Sequence, residues 1–164
     1  MAVHHDSNPT PHLGEHDLNK SPRPRFRLEP WSDPVIDEVG YDPRSTYVET
    51  FWLPVLGPST TCLLRHFTIR LEGSPDGVEL DVEDTARALG LGERLGQNSP
   101  FARTIKRCVD FDMAEYRGPK VLAARVHLPP LARRHLRRLP ESLQRTYWSD
   151  LASTSHRPIA GFVC

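Results

Sequence analysis

The sequence has few residues of several kinds, and each shortage argues against a class of protein. Only three cysteines occur among its 164 residues, at Cys62, Cys108 and Cys164, far apart and without a C-x-x-C pair. This spacing argues against a disulfide framework or a cysteine metal site. No stretch approaches the roughly 18 apolar residues of a membrane span. The N-terminal residues lack a basic segment followed by an apolar run, so no secretory signal is predicted and a cytoplasmic location is expected.

Motifs that carry catalytic chemistry are also missing. There is no G-x-S-x-G, no glycine-rich phosphate loop, no H-E-x-x-H and no Cys/His pairing. His66 and His127 flank apolar residues and are expected to be partly buried rather than catalytic. Asp81, Glu83 and Asp84 cluster where they would serve the start of a helix. We therefore predict a protein that is not an enzyme, with no catalytic residues, no metal and no cofactor.

The composition indicates that part of the chain is not packed. Apolar residues make up 38% of the sequence and there are sixteen prolines, which is unusual for a fully compact domain. Residues 1–30 are rich in proline, histidine and charge and show no hydrophobic period, so a disordered tail is predicted there. Arg23, Arg25 and Arg27 alternate with prolines and Phe26 in this tail, which would let it lie along a nucleic-acid backbone or a partner.

Charge is distributed unevenly, although the net charge is zero. Residues 1–100 contain nine Lys and Arg against sixteen Asp and Glu, a net charge of −7. Residues 101–164 contain twelve against five, a net charge of +7. Such asymmetry between the two halves favours a polyanionic partner for the second half.

Local start and stop signals predict helices in the first half. Order is expected to begin near Trp31. Helices are predicted from Pro34 to Gly40, from Pro43 to Pro54, and from Pro58 to about Leu71. The second is expected to end at Pro54, because proline cannot continue a helix interior. Cys62 is placed on the apolar stripe of the third helix, and Cys108 on that of a later one, where cysteine acts as a small hydrophobic residue.

Residues 78–126 have the most informative order of elements. An acidic loop or short strand is followed by a helix at Val82–Leu89, a turn at Gly90, and a polar connector at Gly92–Asn98. Ser99 and Pro100 then start a helix through Val109. Two β-prone runs, Met113–Tyr116 and Val121–Val126, flank the turn Arg117–Lys120 and predict a β-hairpin.

The helix that starts at Pro100 has two different faces. Phe101, Ile105, Cys108 and Val109 recur at helical spacing and are expected to point inward. The opposite face carries three basic residues within reach of a nucleic-acid groove, namely Arg103, Lys106 and Arg107.

The C-terminal region predicts two further helices. In the first, over residues 131–139, Leu131, His135 and Leu139 form one stripe. Its four arginines pair at i, i+4 and repel one another, so an anionic partner is expected. The second helix starts at Pro140 and carries Leu143, Tyr147 or Trp148, and Leu151 for packing or for a homodimer through residues 140–151.

The predicted organisation follows from these elements. It comprises a tail at 1–30, a domain at 31–130 with leading short helices, C-terminal Arg-rich and amphipathic helices at 131–152, and a tail at 153–164. The fold class is mostly α with a small β-hairpin, that is, α+β.

The order helix, turn, helix and hairpin within residues 46–130 resembles the winged helix-turn-helix superfamily of bacterial DNA-binding proteins. The resemblance implies that Val82–Leu89 is the supporting helix, Pro100–Val109 the recognition helix and Arg117–Lys120 the tip of the wing. Residues 53–59 and 62–64 are also similar to the opening of winged helices in replication-initiation and helicase-loading proteins. The connector after Leu91 is longer than in a tight helix-turn-helix, and acidic residues follow the basic helix.

The leading functional interpretation is a DNA-binding transcriptional regulator, located with the nucleoid, whose partner is double-stranded DNA. The alternative is an interaction module of a polymerase, replisome or ribosome assembly that binds RNA or an acidic protein surface. The candidate nucleic-acid-binding residues are Arg103, Lys106, Arg107, Arg117, Lys120, Arg125, Arg133, Arg134, Arg137 and Arg138.

Overall fold

The computed structural model describes residues 23–92, 94 and 96–153, which form an α+β fold with a mixed four-stranded sheet. The strands are β1 (Arg25–Trp31), β2 (Val78–Asp81), β3 (Ala114–Gly118) and β4 (Val121–Arg125). The helices are α1 (Pro34–Val39), α2 (Leu53–Leu56), α3 (Pro58–Glu72), α4 (Val82–Ala88), α5 (Pro100–Asp110), α6 (Arg133–Leu136) and α7 (Glu141–Ser153), and a π-helical turn at Val48–Trp52 precedes α2. In this part of the chain no helix has both the length and the apolar character needed to cross a membrane.

Strand β1 lies inside the sheet, whose order is β2-β1-β4-β3. It runs antiparallel to β2 and parallel to β4, while β3 and β4 form an antiparallel hairpin. Leu28 of β1 pairs with Val78 on one side and Leu122 on the other, and it is fully buried. The predicted tail at 1–30 is therefore wrong for Arg25–Pro30, and the sheet is larger than the predicted hairpin. The remainder of that tail, residues 1–22, lies outside the described residues.

The physical reason for this correction is a short alternating pattern. Phe26 and Leu28 alternate with the charged residues Arg25, Arg27 and Glu29, which is the period-2 pattern of a strand with one buried face. Only two apolar residues carry the pattern, and prolines flank it. The neighbouring strands, rather than the local sequence, hold this segment extended.

Helix α3 is the central helix, as its apolar stripe predicts. It buries Leu63, Leu64 and Phe67 completely and packs against α2, α5 and the sheet strands β1 and β4. Cys62 does not belong to this buried face, because its side chain is exposed. The sequence-based placement of Cys62 in the core is wrong. The placement of Cys108 is confirmed, since that residue is fully buried.

The helix before α3 continues through Pro54 and ends at Gly57, so its predicted end at Pro54 is wrong. The Leu53 N–H donates to the Val48 oxygen five residues earlier, which closes the π-helical turn. Pro54 then occupies the first turn of α2. A proline is tolerated there because a π-turn breaks the regular i→i−4 ladder and a first-turn N–H needs no helical acceptor.

The predicted starts of α4 and α5 are confirmed by their caps. The Asp81 carboxylate accepts a hydrogen bond from the Asp84 N–H at 3.0 Å, and the Ser99 hydroxyl accepts one from the Ala102 N–H at 3.1 Å. Gly90 follows α4 with a φ of 66°, the left-handed conformation that favours glycine. These contacts are local, which is why the sequence predicts them.

The C-terminal region is less helical than its sequence pattern predicts. Helix α6 covers only Arg133–Leu136, and residues 137–139 form turns. Pro140 disfavours a helical conformation at Leu139 and so limits α6. Tyr147 is the buried residue of helix α7, and its hydroxyl donates to the main-chain oxygen of Leu131 at 3.2 Å. The tail beyond Ser153 lies outside the described residues.

Candidate nucleic-acid interface

Helix α5 presents a narrow polar stripe outward. Its buried residues are Phe101, Thr104, Ile105 and Cys108, so the predicted inward face is confirmed for three of its four residues, while Val109 is half-buried. The exposed residues that remain lie on one side of the helix at i, i+3, i+4 and i+7, namely Arg103, Lys106, Arg107 and Asp110. The core therefore fixes which side chains α5 can offer to a ligand.

Arg103 and Lys106 remain available at the surface. The Arg103 Nε donates to the Asn98 oxygen at 3.0 Å, which holds its stem across the start of α5. The Lys106 ammonium lies 2.7 Å from both carboxylate oxygens of Asp110, and its side chain is 71% exposed. An exposed i, i+4 ion pair contributes only about 0.3–0.5 kcal/mol. Lys106 can therefore exchange Asp110 for a phosphate at little energetic cost.

Arg107 requires a correction, because its guanidinium is engaged within the fold. Its Nε donates to the Leu56 oxygen and its Nη2 to the Val55 oxygen, each at 2.6 Å. The same group lies 5.0 Å from the ring centroid of Phe111. These carbonyls belong to the last turn of α2, where helical partners are missing. We assign Arg107 to the connection between α5 and α2 rather than to ligand binding.

Arg125 requires the same correction. Its side chain is only 12% exposed and its guanidinium lies 3.0 Å from the Asp33 carboxylate. The guanidinium also lies 3.9 Å from the ring centroid of Trp31, and its Nε donates to the Asp112 oxygen at 2.8 Å. This arginine joins β4 to the start of α1 and faces the protein. A phosphate cannot reach it without breaking these contacts.

The β3–β4 hairpin carries two exposed basic residues near its turn. The Arg117 Nε lies 2.7 Å from the Glu115 carboxylate, and Glu29 lies 4.0 Å from its Nη1. Lys120 has no acidic partner within the described residues. The Arg27 N–H donates to the Lys120 oxygen at 2.7 Å, so β1 holds the turn in place. The turn is therefore anchored to the sheet.

The four C-terminal arginines lie exposed around α6. They are Arg133, Arg134, Arg137 and Arg138, and none has an acidic partner in the described part of the chain. Leu131, His135 and Leu139 are buried, as predicted, although His135 alone of the three lies within α6.

His135 connects this arginine cluster to the core. Burial lowers its pKa, and the charges of Arg134 and Arg138 lower it further. The neutral imidazole Nε2 accepts a hydrogen bond from Arg134 Nε at 3.1 Å. The ring centroid of His135 lies 5.4 Å from that of Phe111, the residue that follows α5. The arginine cluster is thus next to the C-terminal end of α5.

The candidate binding residues other than Arg107 and Arg125 are collectively called the cationic face. Its members are Arg103, Lys106, Arg117, Lys120, Arg133, Arg134, Arg137 and Arg138. The hairpin turn lies beside the N-terminal half of α5, where Lys120 and Phe101 line the same pocket. The arginine cluster lies at the other end of α5, about 16 Å along the helix. Contacts around α5 therefore bring together the three segments that the sequence predicts as binding elements.

Three acidic residues lie near this face in the sequence, and two of them pair with its basic residues. Asp110 pairs with Lys106 and Glu115 with Arg117. Asp112 adopts the left-handed conformation with a φ of 58°, and its carbonyl accepts from Arg125. Two of the three carboxylates thus lie beside cationic-face residues and reduce the positive charge there.

A pocket between α5 and the hairpin is the feature that sequence reasoning missed. It encloses about 190 Å³, and Phe26, Ile105 and Tyr116 are among its lining residues. Phe26 lies within the predicted tail, so the sequence gives no indication of its position beside α5. The position of Tyr116 could be predicted from strand periodicity. Residues two apart in a strand lie on the same face of the sheet, so Tyr116 shares a face with the buried Ala114.

Histidines and metal ligands give no competing site in the part of the chain that the structure describes. His66 and His127 are half-buried, as expected, and the His127 Nδ1 lies 3.6 Å from the Asp37 carboxylate. Burial lowers the pKa of His66. Among the described residues no group of three or more His, Cys, Asp or Glu side chains is placed to hold a metal ion.

Comparison with models of known protein families, with curated proteins and with solved structures gives no significant match to this chain.

Proposed function

We propose that the protein binds DNA through α5 and the β3–β4 hairpin, in the manner of a winged helix-turn-helix, and acts as a transcriptional regulator. The proposal is supported by the element order α4, turn at Gly90, α5 and hairpin, which is the order of that superfamily. The strand β1 between β2 and β4 is an addition to this pattern.

The cationic face is the single observation that carries the proposal. It gathers eight exposed basic side chains around one helix, and only Lys106 and Arg117 among them have acidic partners in the described residues. These residues leave a net positive charge around α5, which a phosphate backbone would neutralise. About four to six phosphate contacts would make affinity fall about 10²–10³-fold between roughly 50 and 200 mM salt.

Fluorescence anisotropy with a labelled random-sequence duplex tests this proposal. The wild-type protein should bind at low salt, and log Kd should depend linearly on log salt concentration. Arg103→Ala and Lys106→Ala should each reduce the salt slope by about 0.9, the value expected for one lost phosphate contact. Arg70→Ala, which removes an exposed arginine from α3, is the matched control and should leave the slope unchanged. Folded wild-type protein that fails to bind at low salt would contradict DNA binding.

The arginine cluster around α6 supports a second candidate, an interaction module that binds an acidic protein or structured RNA. Its four exposed arginines have no acidic partner among the described residues. Two of them lie on the short helix α6 and two in the turn after it, so they do not form a helix long enough to fill a groove. The double variant Arg133→Ala/Arg137→Ala distinguishes the two. If the cluster contacts DNA phosphates, affinity for all duplex sequences should fall about equally. Unchanged DNA affinity would assign the cluster to another partner.

A further inference from the structure

The pocket between α5 and the hairpin has an apolar interior and an aromatic mouth. Its lining includes Phe26, Phe101, Ile105, Tyr116, Lys120 and Leu122. The side chains of Phe101, Ile105 and Leu122 belong to the hydrophobic core, so the pocket is a recess in a packed surface. Its volume of about 190 Å³ leaves room for one ring system but not for a helix or strand of another protein.

Tyr116 stands at this mouth with an uncovered ring. It is 63% exposed, more than any other large apolar or aromatic side chain among the described residues. An aromatic ring left in water beside an apolar recess can gain free energy by stacking on another flat ring. The Tyr116 phenol, whose ordinary pKa is 10, is neutral at pH 7 and does not repel an anion.

Positive charge lies at the edge of the same pocket. Lys120 lines it and has no acidic partner within the described residues. Lys106 follows Ala102, another lining residue, by four positions, so both lie on the same edge of α5. A ligand with a flat apolar ring and an adjacent anionic group would therefore fit the pocket, with the ring against the apolar lining and the anionic group beside the lysines.

We propose that this pocket takes one unpaired base of single-stranded DNA, stacked on Tyr116, with the adjoining phosphate at Lys120. The base faces would contact the apolar walls, while the polar base edges would remain at the open mouth in water. Sequence-tolerant binding of single strands combines aromatic stacking with cations along the backbone in this way. The inference deepens the proposed function, since it requires DNA on the α5 and hairpin surface.

Anisotropy with two labelled probes tests the inference, using a 20-nucleotide thymidine strand and a blunt random-sequence duplex. Tyr116→Ala should weaken binding of the single strand about tenfold, as for one lost stacking partner. The affinity of the same variant for the duplex should lie within about twofold of the wild-type value. Tyr116→Phe should bind the strand like wild type, because stacking needs no hydroxyl, while Tyr116→Leu should lose as much as Tyr116→Ala. Trp148→Ala, which removes a half-exposed aromatic ring from α7, is the matched control.

A second measurement reports stacking itself. A strand with a single 2-aminopurine should lose fluorescence on binding to wild type and to Tyr116→Phe, but not to Tyr116→Leu. Urea unfolding should confirm that each variant remains folded, which is expected because the ring is largely in water.

The possible outcomes separate the inference from the proposed function. If duplex binding persists and the thymidine strand is insensitive to Tyr116, only the pocket inference fails. If neither probe binds, the proposed function fails as well. Equal losses for both probes would show a general effect and overturn the pocket assignment. Tighter binding of a uridine 20-mer, with the same dependence on Tyr116, would overturn the assignment to DNA.

Discussion

The Nε of Arg107 donates a hydrogen bond to the main-chain oxygen of Leu56, 2.6 Å away. These residues are 51 positions apart in the sequence, and the contact joins α5 to the last turn of α2. The last carbonyls of a helix have no helical donor, so a side chain from a neighbouring element can stabilise them. Arg107, one of the three basic residues of α5, thus holds two helices together.

Replacing this arginine tests its structural role. Arg107→Ala removes two charged hydrogen bonds and the contact with the Phe111 ring. We expect the free energy of unfolding to fall by about 1.5–3 kcal/mol, measured by urea denaturation. Arg103→Ala, on the same face, is the control and should change stability by less than about 0.5 kcal/mol. Equal stability of the two variants would show that Arg107 does not support α2.

Arg125 gives a second stability prediction. Arg125→Met keeps the aliphatic stem but leaves Asp33 without its cationic partner and removes the stacking on Trp31. We expect the free energy of unfolding to fall, because the partly exposed Asp33 carboxylate loses its cationic partner and Trp31 loses its stacking contact. Thermal denaturation followed by circular dichroism measures it. The affinity of the folded variant for DNA should not change. A variant with unaltered stability but weaker DNA binding would instead show that Arg125 contacts DNA.

Asp33 makes stability depend on pH at the acidic end. The N–H of Ile36 and then the Arg125 guanidinium lower the pKa of its carboxyl below the ordinary value of 3.8. The ionised carboxylate therefore stabilises the fold above about pH 4, and this contribution is lost as pH falls through the lowered pKa. Asp33→Asn keeps a capping acceptor without the charge. The variant should be less stable near pH 7, and its deficit should shrink as the pH falls below about 4.

Urea unfolding across this pH range checks the sign of the effect. Glu38→Gln removes an exposed carboxylate from the same helix and is the control. A deficit of Asp33→Asn that stays constant down to the most acidic condition would contradict the linkage.

The two described cysteines should differ in reactivity. Burial raises the pKa of the Cys108 thiol to about 12, and its side chain is fully enclosed. Cys62 is exposed on α3. Because the thiolate is the reactive form, iodoacetamide should label Cys62 in the native protein while Cys108 stays protected. Peptide mass spectrometry should find both labelled in urea, and native labelling of Cys108 at the rate of Cys62 would contradict its burial.

Helix boundaries followed from the sequence where a few neighbouring residues set them. Asp33 caps α1, Asp81 caps α4 and Ser99 caps α5, each accepting from a backbone N–H two or three residues later. Gly90 supplies the left-handed turn. Such signals lie within one helical turn, so no knowledge of the fold is needed to recognise them.

Strand β1 and the pocket did not follow from the sequence. Phe26 and Leu28 carry too little apolar pattern to identify a strand between prolines and charges. Pairing with β2 and β4, which come about 50 and 90 residues later, is what makes β1 a central strand. The pocket beside Phe26 could not be predicted without that pairing.

Among the ten candidate binding residues, the sequence alone determined which side of α5 is basic and where the arginines cluster. Charge and helical period depend only on neighbouring residues, so they can be predicted from the sequence. The tertiary structure decided which of these basic side chains remain available to bind a ligand. Arg107 and Arg125 donate to acceptors 51 and 92 residues away in the sequence. Those carbonyls and that carboxylate become partly buried when the helices and sheet pack, and buried polar groups are generally hydrogen-bonded. A guanidinium used inside the fold is unavailable to a ligand, and only the packed structure distinguishes it from one that faces water.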